Sequence, residues 1–187
     1  DIAGHWAEQP LRLMLDYGAI DVRDGKVQPN AKITRGELVK MLVIAMNGGE
    51  IYFRSNYAAA EKSAASFNDV AMDSEYFAYV EAAVDGGLID RSEEEFHPDD
   101  PMTREEMAEL IVRALGYGQL AKFENMFNIP FADSEGMHAK GAAAIVVGLG
   151  IMTAPNGKFD PAKQVSRAEA AMAFYRYLLV RPTLQDK

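Results

Sequence analysis

Three times along the chain a glycine is followed eleven residues later by a proline, and six residues after that by an arginine: Gly18, Pro29 and Arg35; Gly87, Pro98 and Arg104; Gly150, Pro161 and Arg167. The glycines open Gly18-Ala19-Ile20, Gly87-Leu88-Ile89 and Gly150-Ile151-Met152. The arginines stand in Thr34-Arg35-Gly36-Glu37, Thr103-Arg104-Glu105-Glu106 and Ser166-Arg167-Ala168-Glu169. A register held through three copies limits the fold to one supersecondary unit used three times, each copy covering apolar surface that its neighbours expose.

The unit is helical. After each arginine, apolar or small residues recur at steps of 0, 3, 4 and 7: Leu38, Met41, Leu42 and Ala45; Met107, Leu110, Ile111 and Ala114; Ala170, Ala173, Phe174 and Tyr177. That spacing lines one helix face. Before each glycine lies a second helical stretch, introduced by Asp1-Ile2, Asp69-Val70 or Ala132-Asp133. The fold class is therefore all-α, with helix-loop-helix units at 1–46, 67–116 and 131–178. Segments 47–66 and 117–130 connect them, and 179–187 forms a C-terminal tail. The Gly48-Gly49 breaker and the run Tyr57-Ala58-Ala59-Ala60 predict a short connecting helix near residues 57–60. Leu42, Ile111 and Phe174 are expected to be buried where the three units meet in a shared bundle.

A small hydroxyl followed three residues later by glutamate is a capping box, in which the hydroxyl accepts from a first-turn N–H and the glutamate returns to the cap residue's own N–H. Thr34 with Glu37, Thr103 with Glu106 and Ser166 with Glu169 are expected to start the second helix of each unit in this way. The arginines need another explanation, because a cation at a helix N-terminus opposes the macrodipole. Two readings are open. In one, the guanidinium and free N-terminal N–H groups grip a carboxylate ligand; in the other, the arginine pairs with a carboxylate of a neighbouring unit. The turn ahead of each box contains Asp24-Gly25 in the first unit and Asn156-Gly157 in the third, whereas the second has Glu93-Glu94-Glu95 and should differ in shape. Val27, Phe96 and Phe159, two residues before the prolines, are expected to plug the space between helices.

Composition removes several function classes. There is no cysteine, so neither a disulfide framework nor a thiolate metal site exists. Nineteen basic against 28 acidic residues give a charge of -9, contrary to a nucleic-acid footprint. No run reaches the length of a membrane span, so no membrane insertion is expected. The opening at Asp1, with no signal-peptide pattern, reads as a mature or trimmed fragment. His5, His97 and His138 lack metal-ligand spacing and no nucleophile elbow occurs, so no catalysis, metal or cofactor is expected.

The recurring Asp-Val-like opening, Trp6, the Gly-Ile-Ile-like turn, Phe-x-Pro and Thr-Arg-x-Glu closely resemble the S-layer homology family, over most of the chain. The resemblance implies a pseudo-threefold spindle of three repeats around a central helix bundle. It also implies a secreted, cell-surface module that anchors a larger protein to the bacterial cell wall. The implied partner is an anionic secondary cell-wall polysaccharide, bound in grooves between repeats, often through pyruvate-ketal-bearing N-acetylmannosamine. Arg35, Arg104 and Arg167, with Trp6, Asp1, Asp69 and Asp133, are then the candidate glycan-binding residues. Any self-assembly is expected to run through regions outside these residues. Where this chain departs from the family, Glu75 and His138 align with Trp6. Trp6 is read either as a platform for a sugar ring or as a core aromatic, and Arg35 as its partner because both lie in the repeat that keeps the family pattern. The competing function is a structural, protein-interaction or peptidoglycan-binding scaffold that does not read a charged glycan.

Overall fold

The computed structural model describes residues 1–185, in which seven α-helices and several short 3-10 turns form the architecture, with isolated bridges in place of strands. Helices α1 (Glu8–Asp16), α4 (Phe77–Asp85) and α6 (Lys140–Gly148) are the first helices of the three repeats. The second helices are α2 (Arg35–Met46), α5 (Arg104–Ala114) and α7 (Arg167–Val180). Each first helix stops at the repeated glycine, where Gly18, Gly87 and Gly150 take φ of 70°, 74° and 73°. The next N–H turns back to a carbonyl of the last turn, as Ala19 does to Met14 O at 2.8 Å, Leu88 to Ala83 O at 2.8 Å and Ile151 to Val146 O at 2.9 Å. This left-handed stop favours glycine, which has no Cβ to clash.

The repeats interlock cyclically. A first helix packs chiefly on the second helix of the repeat before it: α4 on α2, α6 on α5, and α1 on α7, which brings the third repeat back to the first. At the centre three backbone hydrogen bonds form a ring, with Met102 N–H donating to Ile33 O (3.1 Å), Val165 N–H to Met102 O (2.9 Å) and Ile33 N–H to Val165 O (3.0 Å). These three side chains are fully buried, so the ring sits in a dry environment where each bond must be made. Leu42, Ile111 and Phe174 are at most 1% exposed, as the helical periodicity requires, and Val27, Phe96 and Phe159 are buried too.

The first connection differs from its expectation. Its α-helix is α3 (Glu50–Asn56), ahead of the alanine run, and only a 3-10 turn covers Ala59–Glu61. The cause is packing. Phe53 is buried with its ring 5.0 Å from that of Tyr79, whereas the alanines offer no comparable anchor. The second connection contains the 3-10 turns Leu120–Lys122 and Glu124–Met126, the first lying against α6. The loop shapes diverge as expected, since Asp24, Gly25, Asn156 and Gly157 have positive φ and Glu94 does not.

Candidate functional site

Each junction between repeats is built from the same parts. The aspartates that open the repeats act within their own units. Asp1 accepts from the N–H groups of Val27 (2.9 Å) and Gln28 (2.7 Å), Asp69 from those of Phe96 (2.8 Å) and His97 (2.7 Å), and Asp133 from those of Phe159 and Asp160 (both 2.9 Å). Burial pushes the Asp69 and Asp133 carboxyls up, but the paired N–H donors outweigh it and hold both below the usual range. These carboxylates therefore clasp the loop, and as candidate ligand contacts they are already engaged by backbone. Asp69 also lies near Glu95 and His97 in an exposed cluster of groups able to ligate a metal, the one such cluster among the described residues.

The carbonyl of the clasped residue then receives the arginine of the preceding repeat. Arg35 Nε donates to Phe96 O (3.0 Å), Arg104 Nε to Phe159 O (2.8 Å) and Arg167 Nε to Val27 O (2.9 Å). Arg35 and Arg104 also lie over the rings of Phe96 and Phe159, 5.1 and 5.0 Å from the centroids. The helix N-terminal N–H groups are not free for an anion. Arg35, Arg104 and Arg167 donate from their own N–H to Asp100, Lys163 and Ala31 carbonyls, each at 2.9 Å. The following N–H groups of Gly36, Glu105 and Ala168 donate to Pro98, Pro161 and Pro29 carbonyls. The expected cradle of backbone N–H groups is thus filled by the next repeat, leaving only the guanidinium to meet a ligand.

The capping boxes are where the three junctions part. All three hydroxyls cap as expected: Thr34 accepts from Glu37 N–H (3.2 Å), Thr103 from Glu106 N–H (3.3 Å) and Ser166 from Glu169 N–H (3.1 Å). Only Glu169 completes the box by accepting from Ser166 N–H, at 2.7 Å. In the other two the glutamate turns to an arginine instead, because an ion pair outbids a hydrogen bond to a neutral N–H. Glu106 takes Arg35 Nη1, and Glu37 takes Arg167 Nη1 together with Arg23 Nη2 (2.6 Å). Arg167 is 1% exposed, and its Nη2 donates to Asp21 O. That environment makes Arg167 a structural pin with no face for a ligand, contrary to its expected place among the glycan contacts. Glu37, expected to complete a capping box, is buried in this ion pair instead.

Arg104 is different. Its Nε and Nη2 hold the carbonyls of Phe159 and Thr153, but Nη1, the atom that takes a glutamate in the other two junctions, has no partner among the described residues. Glu169 is held away by Ser166 N–H and by Lys163 Nζ at 3.1 Å. Burial pulls the Arg104 pKa below the usual value against the attraction of Glu169, Asp160 and Asp133, as it also does for the paired Arg167. Arg104 lines a groove of about 210 Å³ with Trp6, Thr153, Met172 and Arg176, the last two one turn apart on α7. Trp6 is 60% exposed, so the core reading of this residue does not hold. It reaches this groove because α1 packs on α7, which places it beside Arg104 of the second repeat and not beside Arg35 as expected. Arg176, with no ion pair among the described residues, was not anticipated; the signal was an arginine nine residues after Arg167, outside the repeated motif.

The positions aligned with Trp6 are occupied differently. Tyr76, next to Glu75, lies against Gly36, where even a Cβ would come within 2.8 Å of the ring. His138 lines a cleft with Glu109, Arg113 and Lys122. Its N–H and that of Ala139 donate to Glu105 Oε1.

A ring of three interlocked helix-loop-helix repeats, with an exposed aromatic and two arginines that have no ion pair among the described residues in one junction, defines a repeat module with an open groove, and sequence comparison assigns its family. The S-layer homology domain model matches residues 1–39, 66–108 and 130–171, and the chain belongs to that family. It is 32% identical over 172 residues to an S-layer protein of Bacillus licheniformis, covering 90% of the chain and 18% of that protein. An amylopullulanase of Thermoanaerobacterium thermosulfurigenes is 29% identical over 182 residues, 95% of the chain and 9% of the enzyme. An exoglucanase of Acetivibrio thermocellus is also 29% identical over 182 residues, 16% of its length. The chain therefore spans less than a fifth of each of these relatives.

Proposed function

We propose that this domain fastens a larger secreted protein to the bacterial cell wall by binding an acidic secondary cell-wall polymer, without catalysis, in the groove of Trp6, Arg104 and Arg176. Family membership supports association with the cell surface, as does the matching of one module to both S-layer proteins and polysaccharide-degrading enzymes. The finer reading is pyruvylated N-acetylmannosamine as the bound unit. The observation that carries it is Arg104 Nη1, a half-buried cation end with no carboxylate partner among the described residues, beside an exposed indole. The pyruvyl carboxylate supplies the missing counterion and the apolar face of the sugar covers the indole. Arg35 and Arg167, each already paired with a glutamate, join the repeats.

Titration calorimetry with purified wall polymer tests this reading. Binding is expected with intact polymer and lost after acid removal of its pyruvyl groups. Equal affinity for both would replace charged-glycan recognition with a scaffold or peptidoglycan-binding role.

A further inference from the structure

The three junctions form an internal comparison. Glu37, Glu106 and Glu169 occupy the same position on α2, α5 and α7, each facing the arginine of the repeat before it. Two of them pair with that arginine and one does not. What differs is the residue two after the repeated proline: Ala31 after Pro29, Asp100 after Pro98 and Lys163 after Pro161. Only Lys163 carries a cation there, and its Nζ lies 3.1 Å from Glu169 Oε1. Burial pushes the Glu169 carboxyl up, but Ser166 N–H and Lys163 hold it below the usual range, so it is an anion that needs a cation near it.

Resting on the reading that Arg104 meets the glycan's carboxylate, we propose that Lys163 is a positioning residue that keeps one groove per chain open by holding Glu169 off Arg104. The glutamates at the other two junctions act as built-in substitutes for a ligand carboxylate. The domain accordingly takes one acidic sugar although it has three repeats. Lys163 serves this role from outside the groove. Its side chain is 53% exposed, while its backbone carbonyl keeps the bond from Arg104 N–H whatever side chain is present.

The test uses the pyruvylated N-acetylmannosamine monosaccharide as probe in calorimetric titration of the whole chain. The wild type is expected to bind with a stoichiometry of one. Lys163→Ala frees Glu169 to pair with Arg104 as Glu106 does with Arg35, and should weaken binding about fivefold, the factor set by a partly exposed ion pair that the ligand must displace. Lys163→Ala combined with Glu169→Gln should regain the lost affinity, because glutamine still completes the capping box but cannot neutralise Arg104. Lys163→Arg should bind like the wild type. A fully folded Lys163→Ala protein with unchanged affinity, a double variant as weak as the single one, or a stoichiometry of two or three overturns the proposal. The reading of the groove fails separately, if Arg104→Ala binds as well as the wild type or if the wild type does not bind.

Discussion

Arg167 and Glu37 form an ion pair between the third repeat and the first, with side chains 1% and 5% exposed. The guanidinium also caps two carbonyls of the first repeat, Val27 O and Asp21 O, so one side chain satisfies three acceptors in a dry junction. This closes the ring by joining the third repeat to the first. Arg167→Ala leaves Glu37 with only the half-exposed Arg23 and orphans two carbonyls. A loss of about 3–5 kcal/mol is expected, the range for breaking a buried pair from one side. Chemical denaturation measures it. Affinity for the wall polymer, per folded molecule, should be unchanged, and a variant with wild-type stability and lost affinity would return Arg167 to the ligand site.

Arg104→Ala predicts the opposite balance. It removes a charge-assisted contact to ligand of about 1.5–3 kcal/mol in affinity. It also removes two bonds to carbonyls at the groove rim, so the melting temperature falls by less than in Arg167→Ala. Arg104→Lys should restore affinity only in part, since an ammonium keeps the charge but not the planar fork that also holds Phe159 O and Thr153 O. Calorimetry and thermal melts on the same three proteins separate the two effects, and equal affinity in Arg104→Ala would remove this arginine from the site.

The loop clasps make stability depend on pH. Asp133 is held below the usual carboxylate range in the folded chain, so its contribution is present above the unfolded value near pH 4 and is lost as pH falls through the lower folded one. Asp133→Asn offers one N–H acceptor where the carboxylate offered two and turns an amide NH2 toward the other donor. At pH 7 it should lower stability by about 1–2 kcal/mol. The gap to the wild type should narrow as pH is taken down through 4, because the wild-type carboxyl then protonates too. Urea unfolding at a series of pH values reads this directly, and a constant gap would show that the carboxylate charge is not what holds the loop.

Much of this was readable from spacing alone. The Gly18, Gly87 and Gly150 stops, the hydroxyl caps and the buried faces of Leu42, Ile111 and Phe174 depend on residues within one turn or one loop, and local patterns report local structure. The pairing of repeats was not readable in that way. Arg104 meets Trp6 only because α1 folds back onto α7, and the same motif would suit an arginine turned toward its own repeat. The fate of the glutamates was hidden for a further reason. Glu37, Glu106 and Glu169 each choose between their own cap and a neighbour's arginine, and the choice follows Lys163, which lies outside the Thr-Arg-x-Glu signature. Arg176 escaped notice because its neighbours in the groove come from three repeats.

Trp6 provides a direct optical report of the groove. It is the one tryptophan of the chain and 60% of it faces solvent, so emission from the free protein should be that of an indole in water. Wall polymer seated between Trp6, Arg104 and Arg176 covers the ring, and titration should shift the emission to shorter wavelength along the calorimetric isotherm. Trp6→Ala should cost about 1 kcal/mol of affinity, the scale of an aromatic stacking contact, and Trp6→Phe less. The melting temperature should scarcely move, because most of the ring is outside the core. Salt separates this contribution from that of Arg104. Raising ionic strength screens the partly exposed arginine and shrinks the difference between wild type and Arg104→Ala, while the difference between wild type and Trp6→Ala persists. An emission spectrum unmoved by saturating polymer would place the bound sugar elsewhere on the domain.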